Sequence, residues 1–237
     1  MKKIILLLII TSLSYKSYAI STVYRGDSRE PADVFQNGFL AWGTNVNVNA
    51  HVLGLSGARG SRNSAFIPTT PVSSRARTFA IDLLNTSSNG MAYIYNIRPT
   101  HNFYNMITSM YHLYDSTGTL VPISVREMIN IEREYAAYSN IPPQLIRSVT
   151  ILTRLSNGDI REEVQANPNY TDDNTHANEE PFTNNQPSTV TVRPILLMGP
   201  SMTNINNELP NNSSRLPSPE FTYPMVLPIS GSSSANI

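Results

Sequence analysis

Proline is distributed very unevenly along this chain of 237 residues, and this limits where a packed core can form. Ten of the 17 prolines lie within residues 168–237, in a stretch that is also rich in asparagine and serine. Proline fixes φ and lacks a backbone donor, so helices and central strands do not run through such a stretch. We therefore predict a globular unit at residues 20–165 and, at residues 166–237, an extended tail that needs a partner surface.

The first 19 residues have the pattern of a secretory signal peptide. Lys2 and Lys3 precede an apolar run at residues 4–10, and Ser17 and Ala19 are the small residues of a cleavage site. We expect cleavage before Ile20 and a secreted mature chain. The alternative interpretation of residues 1–19 is a short buried helix.

The overall composition argues against several classes of protein. The 17 Lys and Arg residues balance the 17 Asp and Glu residues, and a neutral chain lacks the basic surface that nucleic-acid binding needs. No stretch reaches the ~20 apolar residues of a membrane-spanning helix, so we do not expect an integral membrane protein. The sequence contains no cysteine, so it has no thiolate that could bind a metal ion. No metal site is expected either, because no metal-ligand spacing relates the histidines, which are His51, His101, His112 and His176.

Lysine is confined to the predicted signal peptide, which holds Lys2, Lys3 and Lys16. Residues 20–237 contain 14 arginines and no lysine. Because the lysine amine is the acceptor for ubiquitin, a protein without lysine is protected from degradation in a foreign cytosol. We interpret this composition as that of a toxin.

The local patterns of residues 20–165 predict a mixture of short strands and helices. The sequence lacks a regular βαβ alternation, which argues against a dinucleotide-binding Rossmann fold and for the α+β class. The predicted strands lie at residues 21–25, 63–70, 91–97, 135–138, 149–155 and 160–165, with a hairpin turn at 156–159. The predicted helices lie at residues 31–35, 77–84 and 125–131.

A pair of carboxylates, Glu132 and Glu134, lies where a predicted helix gives way to a predicted strand. In an extended segment two such side chains share one face, because strand side chains alternate with a period of two. A converging pair of this kind is suited to catalysis. The alternative is a solvated charged turn.

Two further features lie at the ends of predicted strands, namely Arg25 and the hydroxyl groups of Thr69 and Thr70. A strand-end arginine, strand-end hydroxyls and a glutamate pair together are typical of bacterial ADP-ribosyltransferases. Short motifs then make the resemblance specific: YRGDSR at residues 24–29, DVFQNGF at 33–39, AWG at 41–43, NSAF at 63–66, NFY at 102–104, EY at 134–135 and IPP at 141–143. In this order they resemble the catalytic subunits of pertussis-like toxins.

The resemblance implies the bacterial ADP-ribosyltransferase fold, an α+β fold of short strands and helices around a cleft for NAD, followed by an extended C-terminal tail. It further implies that Arg25 holds the cleft together and contacts a phosphate or ribose of NAD. Thr69 and Thr70 would support the nicotinamide ribose. Trp42 would contribute to the nucleotide site, with core packing as the alternative.

Three residues would carry the chemistry. Breaking the nicotinamide bond of NAD builds positive charge on the ribose, and a carboxylate on the ribose 2′-OH stabilises it. The resemblance gives this role to Glu134. It gives His51 the task of assisting the acceptor nucleophile, with an unremarkable loop histidine as the alternative. Glu132 would then orient or deprotonate the acceptor as a general base.

Two departures from the pertussis pattern affect what the resemblance implies. Glu132 stands where that toxin has glutamine, and the Glu-x-Glu form resembles arginine-modifying enzymes, so the type of acceptor residue stays open. Gly57 stands where relatives carry a cysteine. Activation by reduction of a disulfide is therefore not available, and another rearrangement of the segment from residue 165 onward would have to uncover the cleft.

The resemblance also implies partners. A pentameric ring of binding subunits would receive the tail, and a host G-protein α subunit in the host cytosol would be the substrate. The tail residues expected in the ring are Phe221, Tyr223, Met225, Leu227 and Ile229. Two other functions stay open: an NAD glycohydrolase in which water is the acceptor, and a catalytically weak adaptor between a binding ring and another effector.

Overall fold

A computed structural model describes residues 19–57 and 60–183. Most of the predicted signal peptide and the tail residues expected in a ring lie outside the described residues. Within the described part of the chain, no helix combines the length and apolar character needed to cross a membrane.

Within the described residues, nine short strands and five α-helices alternate without a regular repeat, which confirms the α+β class. The strands are β1 Val23–Asp27, β2 Phe39–Leu40, β3 Phe66–Thr69, β4 Met91–Ile97, β5 Phe103–Asn105, β6 Tyr135–Tyr138, β7 Asn140–Ile141, β8 Ile146–Arg154 and β9 Ile160–Ala166. The helices are α1 Pro31–Asn37, α2 Val48–Val52, α3 Ser73–Thr86, α4 Met106–Ser116 and α5 Ile123–Glu132.

The larger sheet is antiparallel and has the strand order β1-β4-β8-β9. Helix α3 packs on it through Ala76 and Ala80, which are fully buried. The approach is close because β1 presents Gly26 to the helix: a Cβ atom there would lie 2.9 Å from the Ala76 carbonyl oxygen. A side chain at position 26 would push α3 away from β1, and the first turn of α3 carries Arg75, which belongs to the candidate site described below.

A second antiparallel sheet, of order β3-β6-β5, is joined edge to edge to the first. The amide of Tyr24 donates to the Thr70 carbonyl at 2.7 Å, and the amide of Thr70 donates back to the Tyr24 carbonyl at 3.0 Å. This bridge places Arg25 of β1 beside the threonine hydroxyls at the end of β3. A third, two-stranded sheet pairs β2 with β7.

Helices α2, α4 and α5 form a second core with Phe66 of β3 and Ala136 of β6. Its apolar contacts come from one side of each helix, such as Val48 and Val52 of α2 and Ile129 of α5. The packing fixes the orientation of α2 and of the end of α5, which carry His51 and Glu132 respectively.

Most predicted elements are present, with boundaries that differ by a few residues. Strand β4 has the bounds that its alternation predicts, whereas the helix predicted at residues 77–84 extends over Ser73–Thr86. Helix α4 was not predicted, although Asn105 is an effective N-cap whose side chain accepts hydrogen bonds from the amides of Ile107 and Thr108. Its buried positions, Met106 and Met110, are spaced four residues apart, as on one side of a helix.

The globular unit extends beyond the predicted boundary at residue 165. Asn167 is buried and donates to the carbonyls of Pro143 and Ile146 at 2.9 and 2.8 Å. Ala177 lies in the main core, and the Phe182 ring packs edge-on against other aromatic rings. Residues 167–183 are therefore an extended strap whose partner surface is the catalytic unit itself.

We predict that Asn167→Ala lowers the free energy of unfolding by about 2–4 kcal/mol, because it removes the donor of two carbonyl contacts inside the protein. Urea denaturation would measure the loss. Asn157→Ala, in the exposed hairpin turn, is the control and should cost less than about 1 kcal/mol. Equal effects of the two substitutions would show that the strap adds nothing to stability.

Candidate active site

The carboxylate of Asp27, at the end of β1, is fully buried between two arginines. Its oxygens accept from Arg25 Nε at 2.9 Å and from Arg29 Nε at 3.1 Å. Burial alone raises the pKa of the Asp27 carboxyl, but the charges of Arg25 and Arg29 outweigh this effect and hold the pKa below its ordinary value. Asp27 is thus a charged group that fixes both guanidinium groups.

Arg25 lies in the middle of β1 rather than at its end, and its side chain is buried. Its Nη1 donates to the Pro68 carbonyl at 2.9 Å, and its guanidinium lies 5.3 Å from the centre of the Phe39 ring. The side chain therefore ties β1 to β3, consistent with the expected role of holding the cleft together.

His51 lies in the short helix α2, whose first turn is capped by the Asn47 side chain. The histidine is buried, with Nδ1 at 2.8 Å from Ser64 Oγ and Nε2 at 2.7 Å from Glu134 Oε1. It is therefore not an unremarkable loop histidine. The structure brings the predicted His51 and Glu134 into direct contact and adds Ser64, which the sequence analysis missed although it belongs to the NSAF motif.

Glu132 and Glu134 are both buried, which excludes a solvated charged turn. The junction between helix and strand is confirmed, because α5 ends at Glu132 and β6 begins at Tyr135. The expectation of an extended pair is wrong, however: Arg133 between them adopts left-handed backbone angles of φ 48° and ψ 46°. The two carboxylates consequently have different partners, Arg75 for Glu132 and His51 for Glu134.

The predicted hydroxyl groups hold this turn in place. Thr69 Oγ1 donates to the Tyr135 carbonyl, and Thr70 Oγ1 donates to the Glu132 carbonyl at 3.1 Å. The side chain of Arg75 binds the Glu132 carboxylate from the same side of the site. We call these three contacts the seam. They fasten the residues on both sides of Glu134.

Glu132 and Glu134 also border one small concavity, although their partners differ. Its remaining walls are apolar and come from α2, α4 and α5: Val52, Met106, Met128 and Ile129. A pair of carboxylates beside an apolar wall is an arrangement in which electrostatic interactions are strong, because little water screens them.

Trp42 lies apart from these contacts. It is half-buried, and the Arg62 guanidinium lies 5.3 Å from the centre of its ring. Among the described residues it belongs to none of the hydrophobic core clusters. Trp42 therefore lies outside the hydrophobic clusters of the described residues and has the Arg62 guanidinium beside its ring. No group of histidine, aspartate and glutamate side chains within residues 19–57 and 60–183 could hold a metal ion.

The strap, residues 167–183, passes close to the contact between His51 and Glu134. Tyr135 follows Glu134, and its hydroxyl donates to the Glu179 carboxylate at 2.9 Å. Burial, followed by the hydrogen bond to Glu179, raises the pKa of the Tyr135 hydroxyl, so it remains a donor at neutral pH. The strap is thereby anchored one residue from Glu134.

Several known proteins are similar to this chain. The family described as pertussis toxin, subunit 1 matches residues 19–207. The chain belongs to the pertussis toxin subunit 1 family. It is 35% identical over 204 residues to the pertussis toxin subunit 1 homolog of Bordetella parapertussis, a match that covers 80% of this chain and 75% of that protein. It is 34% identical over 205 residues to pertussis toxin subunit 1 of Bordetella pertussis, covering 81% and 76% of the two chains.

A solved structure, that of EcPltA, has the same fold. It aligns with a TM-score of 0.60 at 32% identity and covers 69% of this chain and 94% of its own. This confirms the predicted ADP-ribosyltransferase fold. As a member of the pertussis toxin subunit 1 family the chain is an NAD-dependent protein mono-ADP-ribosyltransferase, for which NAD is a substrate.

We predict that Asp27→Asn lowers the free energy of unfolding at neutral pH by about 3–5 kcal/mol, because it removes the buried negative charge that both Arg25 and Arg29 contact. The pKa of Asp27 is lowered in the folded state, so its contribution is present above the unfolded pKa of about 4 and disappears as the pH falls through the folded pKa.

Urea denaturation between pH 7 and pH 3 would test this prediction. The difference between wild type and Asp27→Asn should shrink on acidification. Asp82→Asn, at an exposed position of α3, is the control. A difference that stays constant with pH would contradict the assignment of a charged Asp27.

Proposed function

We propose that this member of the family is a secreted toxin A subunit that transfers ADP-ribose from NAD to a host protein, a heterotrimeric G-protein α subunit. The observation that carries the proposal is the buried contact of 2.7 Å between His51 and Glu134, at the positions that the family resemblance predicted for catalysis. A hydrogen-bonded histidine and carboxylate beside an apolar concavity are suited to glycosyl transfer.

Glu134 stabilises the positive charge that develops on the nicotinamide ribose, by accepting a hydrogen bond from the ribose 2′-OH. The seam supports this role, because Thr69 and Thr70 fix the backbone on either side of Glu134. A prepositioned carboxylate needs no reorganisation as charge develops.

His51 and Glu132 act on the acceptor. His51 contacts Glu134 directly, so it lies where bond formation to the ribose takes place. Glu132 orients the acceptor or takes its proton. Its position two residues from Glu134, across the turn at Arg133, supports a role close to the same reaction centre.

NAD is held by Arg25, Thr69, Thr70 and Trp42. Support comes from the bridge between β1 and β3, which gathers the first three into one region. Arg25 acts chiefly by tying the two strands together, and the half-buried Trp42 offers an aromatic surface to the nucleotide.

The chain acts after secretion, in the host cytosol, as part of a larger toxin. Its relatives are named as subunit 1 of a toxin, which supports assembly with further subunits. The tail would seat the enzyme on a pentameric ring of binding subunits through its apolar residues near the C-terminus. The predicted signal peptide supplies the route of export.

The proposal is tested by incubating residues 20–237 with labelled NAD and host cell lysate. We predict that Glu134→Gln lowers both protein labelling and nicotinamide release by about 10²–10³-fold, because a preorganised charge is lost. Glu127→Gln, on the exposed side of α5, is the matched control and should retain both activities.

The identity of the labelled protein decides the target. Immunoprecipitation of a labelled G-protein α subunit would support the proposal. Nicotinamide release without labelled protein would establish an NAD glycohydrolase instead. Folded protein that shows neither activity would be an adaptor.

A further inference from the structure

The hydroxyl group of Ser64 connects the backbone of β3 to His51. Ser64 lies just before β3 and is 1% exposed. Its Oγ is 2.8 Å from His51 Nδ1 and accepts a hydrogen bond from the Phe66 amide at 3.1 Å. The imidazole is therefore held at both ring nitrogens, by Ser64 at Nδ1 and by Glu134 at Nε2.

The backbone of Ser64 is held by contacts that do not involve its hydroxyl. The Ser64 amide donates to the Ser56 carbonyl at 3.1 Å, and the Ser64 carbonyl accepts from the Gly43 amide at 3.0 Å. Asn45 pairs with Ser64 in a parallel β-bridge. Because these contacts position the residue, the hydroxyl can be removed while the segment keeps its place, and its function can be tested separately.

Glu134 determines which nitrogen of His51 carries hydrogen. An ionised carboxylate has lone pairs and no hydrogen, so it can only accept hydrogen bonds. His51 Nε2, at 2.7 Å from Glu134 Oε1, is therefore an N–H donor. A neutral imidazole carries hydrogen on one nitrogen only, so Nδ1 then needs a donor of its own.

The contacts of Ser64 Oγ supply that donor. A serine hydroxyl has one hydrogen and accepts at its lone pairs, one of which the Phe66 amide occupies. The hydrogen has two acceptors within reach, His51 Nδ1 at 2.8 Å and the Phe66 carbonyl at 3.4 Å. The distance to the carbonyl exceeds the range of about 2.5–3.0 Å that is usual for a hydroxyl donor, so the hydrogen points to Nδ1.

We propose that Ser64 is a positioning residue for the transfer reaction: its hydroxyl donates to Nδ1 and keeps His51 as the neutral tautomer whose Nε2 hydrogen is aimed at Glu134. The inference rests on the proposed role of Glu134. A chain of donors thus runs from the Phe66 amide through Ser64 and His51 to the Glu134 carboxylate.

This chain of donors restricts what His51 can do. While both contacts hold, the Nε2 hydrogen is used by Glu134 and the Nδ1 lone pair is used by Ser64. His51 therefore takes part by orienting Glu134 beside the acceptor and not by removing a proton from it. A carboxylate that is oriented in advance stabilises the developing charge on the ribose without reorganisation.

Nitrogen NMR of the chain labelled with ¹⁵N-histidine tests the tautomer, because ring nitrogens with and without hydrogen give well-separated signals. At neutral pH we expect wild-type His51 to carry hydrogen on Nε2 and none on Nδ1. In Ser64→Ala the Nδ1 signal should move toward that of a protonated nitrogen, because its donor is gone. His51→Asn identifies the signals by removing this histidine alone.

The rate of nicotinamide release tests whether the chain of donors matters to the reaction. Ser64→Ala should lower kcat by about 10–100-fold and change the KM for NAD by less than about twofold, because the hydroxyl orients His51 and does not bind NAD. Ser64→Cys, with a weaker donor of similar size, should fall between the two.

Ser56→Ala is the matched control for these measurements. Ser56 is as buried as Ser64, and its hydroxyl has no hydrogen-bond partner among the described residues. Its removal should change neither kcat nor the His51 signals. Circular dichroism would establish that each variant is folded.

A double-mutant cycle tests whether Ser64 acts through His51. In the His51→Asn background, Ser64→Ala should lower kcat by less than about a further twofold, because the group that Ser64 positions is absent. A loss as large as in the wild-type background would show that Ser64 acts independently of His51, and would overturn the inference.

The nitrogen signals give two further results that would overturn it. Hydrogen on Nδ1 in wild type would show that Ser64 accepts from His51, and an unchanged Nδ1 signal in folded Ser64→Ala would show that the hydroxyl does not control the ring. Folded wild type with the expected tautomer but without nicotinamide release would overturn the proposed function alone, since the NMR measurement needs no reaction.

Discussion

The bridge between β1 and β3 is the constraint on which the site depends. Two backbone hydrogen bonds join Tyr24 to Thr70, and Arg25 adds a side-chain contact to the Pro68 carbonyl. Pairing of β3 with β6 sets Thr69 opposite Tyr135, next to Glu134, and the bridge holds this pair of strands against β1. The carboxylate of Asp27 adds a further restraint, because it also accepts a hydrogen bond from Arg25.

Three buried carboxylates in this region differ in the partners that neutralise them. Asp27 has two arginines and no exposed surface, so it is a fixed structural charge. Glu132 has one partly exposed arginine as its partner, and Glu134 has the buried His51. Asp27 thus serves the fold, whereas Glu132 and Glu134 both border the concavity of the candidate site.

The sequence predicts those parts of the molecule that depend on local pattern. Strand β4 and the junction after α5 follow from alternation and periodicity, and the family resemblance predicts His51 and Glu134 as site residues. The contacts between side chains do not follow from local pattern, because Arg75 and Glu132 are 57 residues apart and His51 and Glu134 are 83 residues apart. The left-handed turn at Arg133 was also missed, since it lacks the glycine that usually marks such a position.

The strap has a mechanical consequence. The Phe182 ring packs at 4.9 Å against Phe66, and the Phe66 ring lies 5.1 Å from that of His51. The Phe182 amide is held by a single hydrogen bond of 2.9 Å to Ser109. A pulling force applied to the chain beyond residue 183 would therefore act first on the hydrogen bond between Phe182 and Ser109 and on the contact between the Phe182 and Phe66 rings. Tension on the tail would then pass through the Phe66 ring of β3 to the ring of His51.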